Sequence, residues 1–170
     1  MGRFRAQAAR FGSHIVDVDI DRVDLSARPF RAWARGVEYR GETLIIATGA
    51  SALWLYIESE QRLRGRGVSA CATCDGFFFR DKAMVVVGGG DSAMEEASFL
   101  ARMASSVTIV HRRDEFRASK TMVARTVSNP KIEILYSHVV EEVLDVKEDR
   151  VTGVRVKDLK SGATRVVPAS

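Results

Sequence analysis

The sequence predicts a mixed α/β fold built around a parallel sheet, and three observations carry that prediction. The middle of the chain alternates short apolar, β-branched runs with longer amphipathic ones, in the order βαβαβ. The first of those short runs ends in consecutive glycines, the turn by which a strand feeds a helix lying on its own sheet. The two flanks alternate apolar and polar residues with period two, as antiparallel strands with one buried face do.

Taken in order, the run from Ser13 to Leu25 (His-Ile-Val-Asp-Val-Asp-Ile-Asp-Arg-Val-Asp-Leu after the serine) alternates and predicts a strand. Phe30 to Ala34 and Val37 to Ala47 predict two more, joined through Arg35-Gly36, the second ending in the buried run Leu44-Ile45-Ile46-Ala47 before Thr48-Gly49. Between Ser51 and Gly67 the period is lost while Glu58, Glu60, Arg62, Arg64 and Arg66 accumulate, as in an exposed connection. A domain boundary is expected there, with residues 1–62 on one side and 63–170 on the other. Beyond it come strand Ala83 to Val87, a glycine turn, a helix from Ser92 to Met103, strand Val107 to Val110, a helix around Ser119 to Val127, and strand Ile132 to Leu135. This is a Rossmann-like unit. Runs at Val139 to Val146, Val151 to Val156 and Thr164 to Val167, separated by Glu148-Asp149 and Ser161-Gly162, predict an antiparallel meander.

Composition narrows the partners. Hydrophobic residues at 46% and charged residues at 28% are the balance of a folded globular chain, which sets disorder aside. A net charge of +4 without a long basic run argues against nucleic acid. The apolar stretches Thr43 to Ala47 and Ala83 to Val87 are far shorter than the roughly 20 residues of a membrane-spanning helix, so no membrane partner is expected. Both cysteines lie in one C-x-x-C, too few for a disulfide scaffold, and with no export signal in view the expected compartment is the cytoplasm.

Val85-Val86-Val87 runs into Gly88-Gly89-Gly90-Asp91-Ser92-Ala93, a G-x-G-x-x-A between strand and helix. Glycines there permit the tight turn and let backbone amides approach a pyrophosphate, which the helix N-terminus stabilises, while Ala93 keeps helix and sheet close. Ser92 and Glu95 have capping-box spacing. The second strand of the unit ends in His111-Arg112-Arg113, with Arg117 close behind, where an NAD-binding domain would carry an acid for the ribose hydroxyls. Arginines at that place suit a 2′-phosphate and hence NADPH; the competing reading of such a cluster, taken without the glycine loop, is a solvated surface.

Cys71 and Cys74 are spaced to close a disulfide and to lower the pKa of one thiol with the other, which suits two-electron exchange. Half of a zinc site is the competing reading, yet the chain offers no further cysteine and only His14, His111 and His138, so no metal is expected. Asp75 follows the pair, placed to pass protons to a thiolate or to cap a short helix.

Three motifs in one order carry a family resemblance: Gly67-Val68-Ser69-Ala70-Cys71-Ala72-Thr73-Cys74-Asp75-Gly76, the glycine loop from Gly88 through Ala97, and His111-Arg112-Arg113-Asp114-Glu115-Phe116-Arg117. Together they resemble the low-molecular-weight thioredoxin reductases, and Ile46-Ala47-Thr48-Gly49-Ala50 resembles the segment that lies against FAD in that family. The resemblance implies an NADPH-dependent thioredoxin-disulfide reductase that passes electrons through FAD to Cys71 and Cys74 and on to thioredoxin. It further implies Cys74 facing the flavin, Asp75 as proton donor and acceptor, Arg112, Arg113 and Arg117 on the 2′-phosphate, Ala47, Thr48 and Gly49 against FAD, and a homodimer in the full-length form. No G-x-G-x-x-G precedes the strands of residues 1–50, and no return to the FAD domain follows Pro168, so the chain is expected to be a fragment with an incomplete FAD site. Two alternatives accompany this reading: an NADP(H)-binding module without flavin or turnover, and a related flavin reductase that serves a peroxidase.

Overall fold

The computed structural model describes residues 2–170, which divide into two compact units, one ending at Ala50 and the other beginning at Ser51. In the first unit a helix α1 (Gly2–Arg10) precedes a three-stranded antiparallel sheet of β1 (Arg22–Asp24), β2 (Phe30–Ala34) and β3 (Val37–Gly41). Arg35 and Gly36 both have positive φ, 49° and 79°, the two-residue turn that matches strand twist.

Two expected strands are cut short. Of the alternating run Ser13–Leu25 only Arg22–Asp24 pairs with a neighbour, and the second strand stops at Gly41. Leu44, Ile45 and Ile46, expected as a buried strand, lie outside any ladder, with Ile45 88% exposed. Alternation supplies one apolar face, but a strand also needs a partner edge for its backbone, and none within this unit meets these residues.

The second unit opens with a correction to the expected exposed connection. A short helix α2 (Glu58–Arg62) docks there: Leu63 is fully buried, the Ser59 hydroxyl accepts the Val143 N–H at 2.9 Å, and the buried Glu60 carboxylate accepts the N–H groups of Leu55 and Tyr56 at 2.8 and 2.9 Å. Charged letters concealed a buried polar anchor, satisfied by backbone donors as a buried carboxylate must be. The compact units therefore part upstream of the 62/63 boundary read from the sequence.

After α3 (Ala72–Asp75) and a 3₁₀ turn at Gly76–Phe79 comes the Rossmann-like unit: β4 (Ala83–Val87), α4 (Asp91–Leu100), β5 (Ser106–Val110), α5 (Lys120–Val127) and β6 (Ile132–Leu135). Its three strands are parallel and neighbour one another in sequence order. Met84, Val86, Val107 and Ile109 face α4, which contributes Ala93, Met94, Ala97 and Leu100. Val85, Val110 and Leu135 turn the other way, into a second core with β7 (His138–Leu144), β8 (Gly153–Asp158) and β9 (Thr164–Pro168), the antiparallel meander. Coverage on both faces is why β5 is buried without a break from Val107 to Val110.

Candidate functional site

The glycine turn sits where β4 hands over to α4. Gly88 has φ +153°, and a Cβ there would stand 2.9 Å from that of Ala93; this is the close helix–sheet approach expected of the G-x-x-x-x-A spacing. At Gly90 nothing lies within 4 Å of an added Cβ, so the turn opens onto free space above the first turn of α4. The first N–H groups of a helix have no intrahelical acceptor, so the end of α4 is a donor cluster beside that opening. Gly90 itself is the N-cap and makes no side-chain bond, so the Ser92–Glu95 capping box does not form: the helix starts two residues earlier than that box requires. The Asp91 carboxylate instead accepts the Ser119 N–H at 2.8 Å, tying the start of α5 to the start of α4.

Gly89 is glycine for a different reason. A Cβ there would fall 2.2 Å from Cε1 of His111, whose ring is 6% exposed and whose Nε2 bonds the Glu115 carbonyl at 2.9 Å. The Gly89 carbonyl in turn accepts N–H groups from Arg117 and Ala118 at 2.8 and 3.2 Å. His111 stacks on Phe116 and Phe116 on Tyr136, with centroids 5.1 and 4.9 Å apart. The structure thus brings His111 and the arginine loop onto the glycine loop, with His111 as the prop beneath. Arg112, Arg113 and Arg117 are exposed and make no ion pair among the described residues. Asp114, between them in sequence, is instead occupied: it pairs with Ser137 Oγ and with Lys160 Nζ, and these two hold its carboxyl below the usual range.

Cys71 and Cys74 form a disulfide, with Cα atoms 5.3 Å apart and Cys74 the more exposed. Cys71 is the N-cap of α3, and its carbonyl accepts the N–H groups of Cys74 and Asp75, both at 3.2 Å. Asp75 is the last residue of α3 and stands at the N-cap position of the 3₁₀ turn after it, where its side chain makes no cap hydrogen bond. Its Oδ2 accepts from Ser69 Oγ at 2.5 Å, and Ser69 Oγ accepts the Cys71 N–H at 3.0 Å. Ser69 is the residue that sequence reading overlooked; its position two before a C-x-x-C is the only signal it carries.

The dithiol helix rests on the far half of α4. Gly76 packs so tightly that a Cβ would be 2.6 Å from Leu100, with Met103 and Phe99 beside it. Leu100 is ten residues beyond Gly90, so dithiol and glycine loop stand roughly 15 Å apart along one helix. Ala47, Thr48 and Gly49, belonging to the first unit, are exposed, with Gly49 at φ +77°.

A family model described as pyridine nucleotide-disulphide oxidoreductase matches residues 3–169. The chain belongs to this family. The chain is 49% identical to the thioredoxin reductase of Rickettsia felis, over 100% of its own length and 56% of that protein's. It is 51% identical to that of Vibrio cholerae, over 96% and 52% respectively. The solved thioredoxin reductase of Giardia duodenalis superposes with a TM-score of 0.83 at 39% identity, covering 99% of this chain and 55% of that one. The resemblance read from three motifs therefore extends along the whole sequence, and the chain spans about half the length of the relatives it matches. Among the described residues, no helix is long and apolar enough to cross a membrane.

Proposed function

We propose that this chain is the nucleotide- and dithiol-bearing portion of a thioredoxin-disulfide reductase, in which electrons from NADPH reach Cys71 and Cys74 by way of FAD and pass to thioredoxin. One observation carries the reading: a closed Cys71–Cys74 pair and an open glycine loop are mounted on the same helix, α4. The loop fits NADPH in three respects: the space above Gly90, the donors at the head of α4, and unpaired guanidinium groups on the loop latched to Gly89. NADPH would supply a hydride, two electrons in one step. Gly88, Gly90 and Ala93 would admit its pyrophosphate, Arg112, Arg113 and Arg117 its 2′-phosphate, while Gly89, Asp91, Ser92 and His111 hold the shape of the cradle. For FAD the residues present do not suffice: Ala47, Thr48 and Gly49 form one exposed segment, and residues 1–50 contain no second glycine loop.

The dithiol chemistry balances as exchange. One thiolate of the reduced pair attacks the substrate disulfide, forming a mixed disulfide and expelling one substrate thiolate. The other cysteine then attacks the first, restoring Cys71–Cys74 and releasing the second substrate thiolate. Two electrons have passed to the substrate, and the two protons given up by the cysteines follow. Asp75, adjacent to Cys74 and hydrogen-bonded in the C-x-x-C frame, is the group placed to carry one of them. A cytoplasmic location and a homodimer of the full-length form belong to the same proposal.

The test uses the full-length protein with NADPH, FAD and oxidised thioredoxin. Cys71→Ser and Cys74→Ser should each abolish thioredoxin reduction while NADPH binding persists; wild-type turnover in either variant would sink the reading. A second reading, an NADP(H)-binding module without flavin or turnover, is favoured for the isolated chain by the exposure of Ile45 and Ile46 beside the flavin-facing residues. An absorption spectrum with stoichiometric bound flavin would exclude it.

A further inference from the structure

We propose that Ser69 is a positioning residue for the dithiol, its hydroxyl acting as the two-state partner of the Asp75 carboxyl when that group takes and gives a proton. The inference rests on the reading of Asp75 as proton carrier and deepens it.

A hydroxyl has one proton and two lone pairs, so its contacts must be apportioned. In the structure Ser69 Oγ lies 3.0 Å from the Cys71 N, 2.5 Å from Asp75 Oδ2 and 3.4 Å from the Cys71 carbonyl oxygen. The Cys71 N–H can only donate, so it takes one Ser69 lone pair. With Asp75 ionised, the single Ser69 proton goes to Oδ2, leaving the Cys71 carbonyl to the N–H groups of Cys74 and Asp75. Once Asp75 carries a proton, the direction reverses: Asp75 donates to the remaining Ser69 lone pair, and the Ser69 proton turns toward the Cys71 carbonyl. Rotation about Cβ–Oγ alone converts one state into the other. An alanine at this place would leave the carboxyl without a fixed partner and the Cys71 N–H without an acceptor.

For this to work the serine must stay put while the disulfide opens and closes. Its backbone follows directly on a segment pinned to the core. Leu63 is fully buried, the Val68 N–H reaches the Leu63 carbonyl at 3.2 Å, and Gly65 N–H reaches that of Val68 at 3.0 Å. Gly67 holds φ +113° and leaves no room for a Cβ, which would meet Val151 at 2.6 Å. None of these anchors involves a cysteine, so the backbone leading into Ser69 is held independently of the disulfide.

The chain as it stands can be tested without flavin. It is reduced with dithiothreitol, freed of it, and mixed with 5,5′-dithiobis(2-nitrobenzoate). Two protein thiols then yield the Cys71–Cys74 disulfide, two thionitrobenzoate anions and two protons, and absorbance follows the release. Asp75→Asn should slow exchange about a hundredfold, the lower end of what a positioned proton carrier contributes. Ser69→Ala should slow it about tenfold, a part of that same effect, and Ser69→Thr should return it to within about threefold of the wild type. In the Asp75→Asn background, Ser69→Ala should slow it no further, because its action runs through the carboxyl. A wild-type rate in Ser69→Ala, or an equal extra loss in both backgrounds, overturns the proposal, the latter by assigning Ser69 to the Cys71 amide alone. A wild-type rate in Asp75→Asn instead overturns the underlying reading of Asp75.

Discussion

Alanine at Gly89 and at Gly90, adjacent positions of one turn, should give opposite phenotypes. At Gly89 the new Cβ would stand 2.2 Å from His111 Cε1 and 2.3 Å from Nδ1. Carbon atoms in good contact are about 3.5 Å apart, so ring and loop must separate by roughly 1.3 Å. The ring cannot swing into solvent: it is 6% exposed, bonded to the Glu115 carbonyl and stacked on Phe116. Overpacking of this kind costs about 1–3 kcal/mol, and the loss of a hydrogen bond to Glu115 or Gly89 adds about 1 kcal/mol. Gly89→Ala should therefore lose about 2–4 kcal/mol, a fall in Tm of roughly 5–15 °C for a chain of this size. At Gly90 the Cβ meets nothing within 4 Å and φ is −100°, so Gly90→Ala should cost only the N-cap preference for glycine, about 0.5–1 kcal/mol or roughly 1–4 °C in Tm. Its methyl group would occupy the space reserved for a pyrophosphate, and NADP⁺ affinity should drop at least about tenfold, a cost of about 1.4 kcal/mol. Calorimetric scanning and titration with NADP⁺ on both variants decide the matter. Unchanged stability in Gly89→Ala refutes the account of His111, and undiminished affinity in Gly90→Ala refutes the nucleotide site.

Two further outcomes follow from charge. Arg112→Ala, Arg113→Ala or Arg117→Ala should each weaken 2′,5′-ADP binding by about ten- to a hundredfold, since a hydrogen bond to a charged group contributes about 1.5–3 kcal/mol. Binding of 5′-AMP, which lacks the 2′-phosphate, should change little in the same titrations; equal losses for both ligands would disprove the assignment. In the first unit, Asp24 is held down to about 2 by the Ser26 hydroxyl and N–H, and by Arg31. A carboxyl with a depressed native pKa stabilises the fold fully above its unfolded value, near 4, and the benefit is lost as pH falls toward 2. Protection of the Ser26 amide, its exchange rate relative to that of an unstructured chain at the same pH, should fall across that window and hold steady between pH 5 and 8.

How much of this was legible in advance follows from the range of each interaction. The sequence alone determined the βαβαβ unit, the glycine loop, the arginine cluster, the C-x-x-C and the meander, since each is written in neighbouring residues. Periodicity sets which face of β4 and β5 meets α4, and glycine permits a turn wherever the chain lies. Only the tertiary structure decided which of those local options was realised. Ser13–Leu25 had the alternation of a strand but found an edge for three residues alone. Ser92 and Glu95 had the spacing of a capping box, but Gly90 closed the helix first, and Asp91 turned to Ser119 in the next helix. Glu58 to Arg62 read as solvated charge until the N–H groups of Leu55 and Tyr56 took up the Glu60 carboxylate. The contact of Gly89 with His111, and the bridge from Ser69 across the dithiol to Asp75, were equally invisible. Each depends on where a side chain meets a partner brought near by the packing of the whole unit, and no local pattern encodes that meeting.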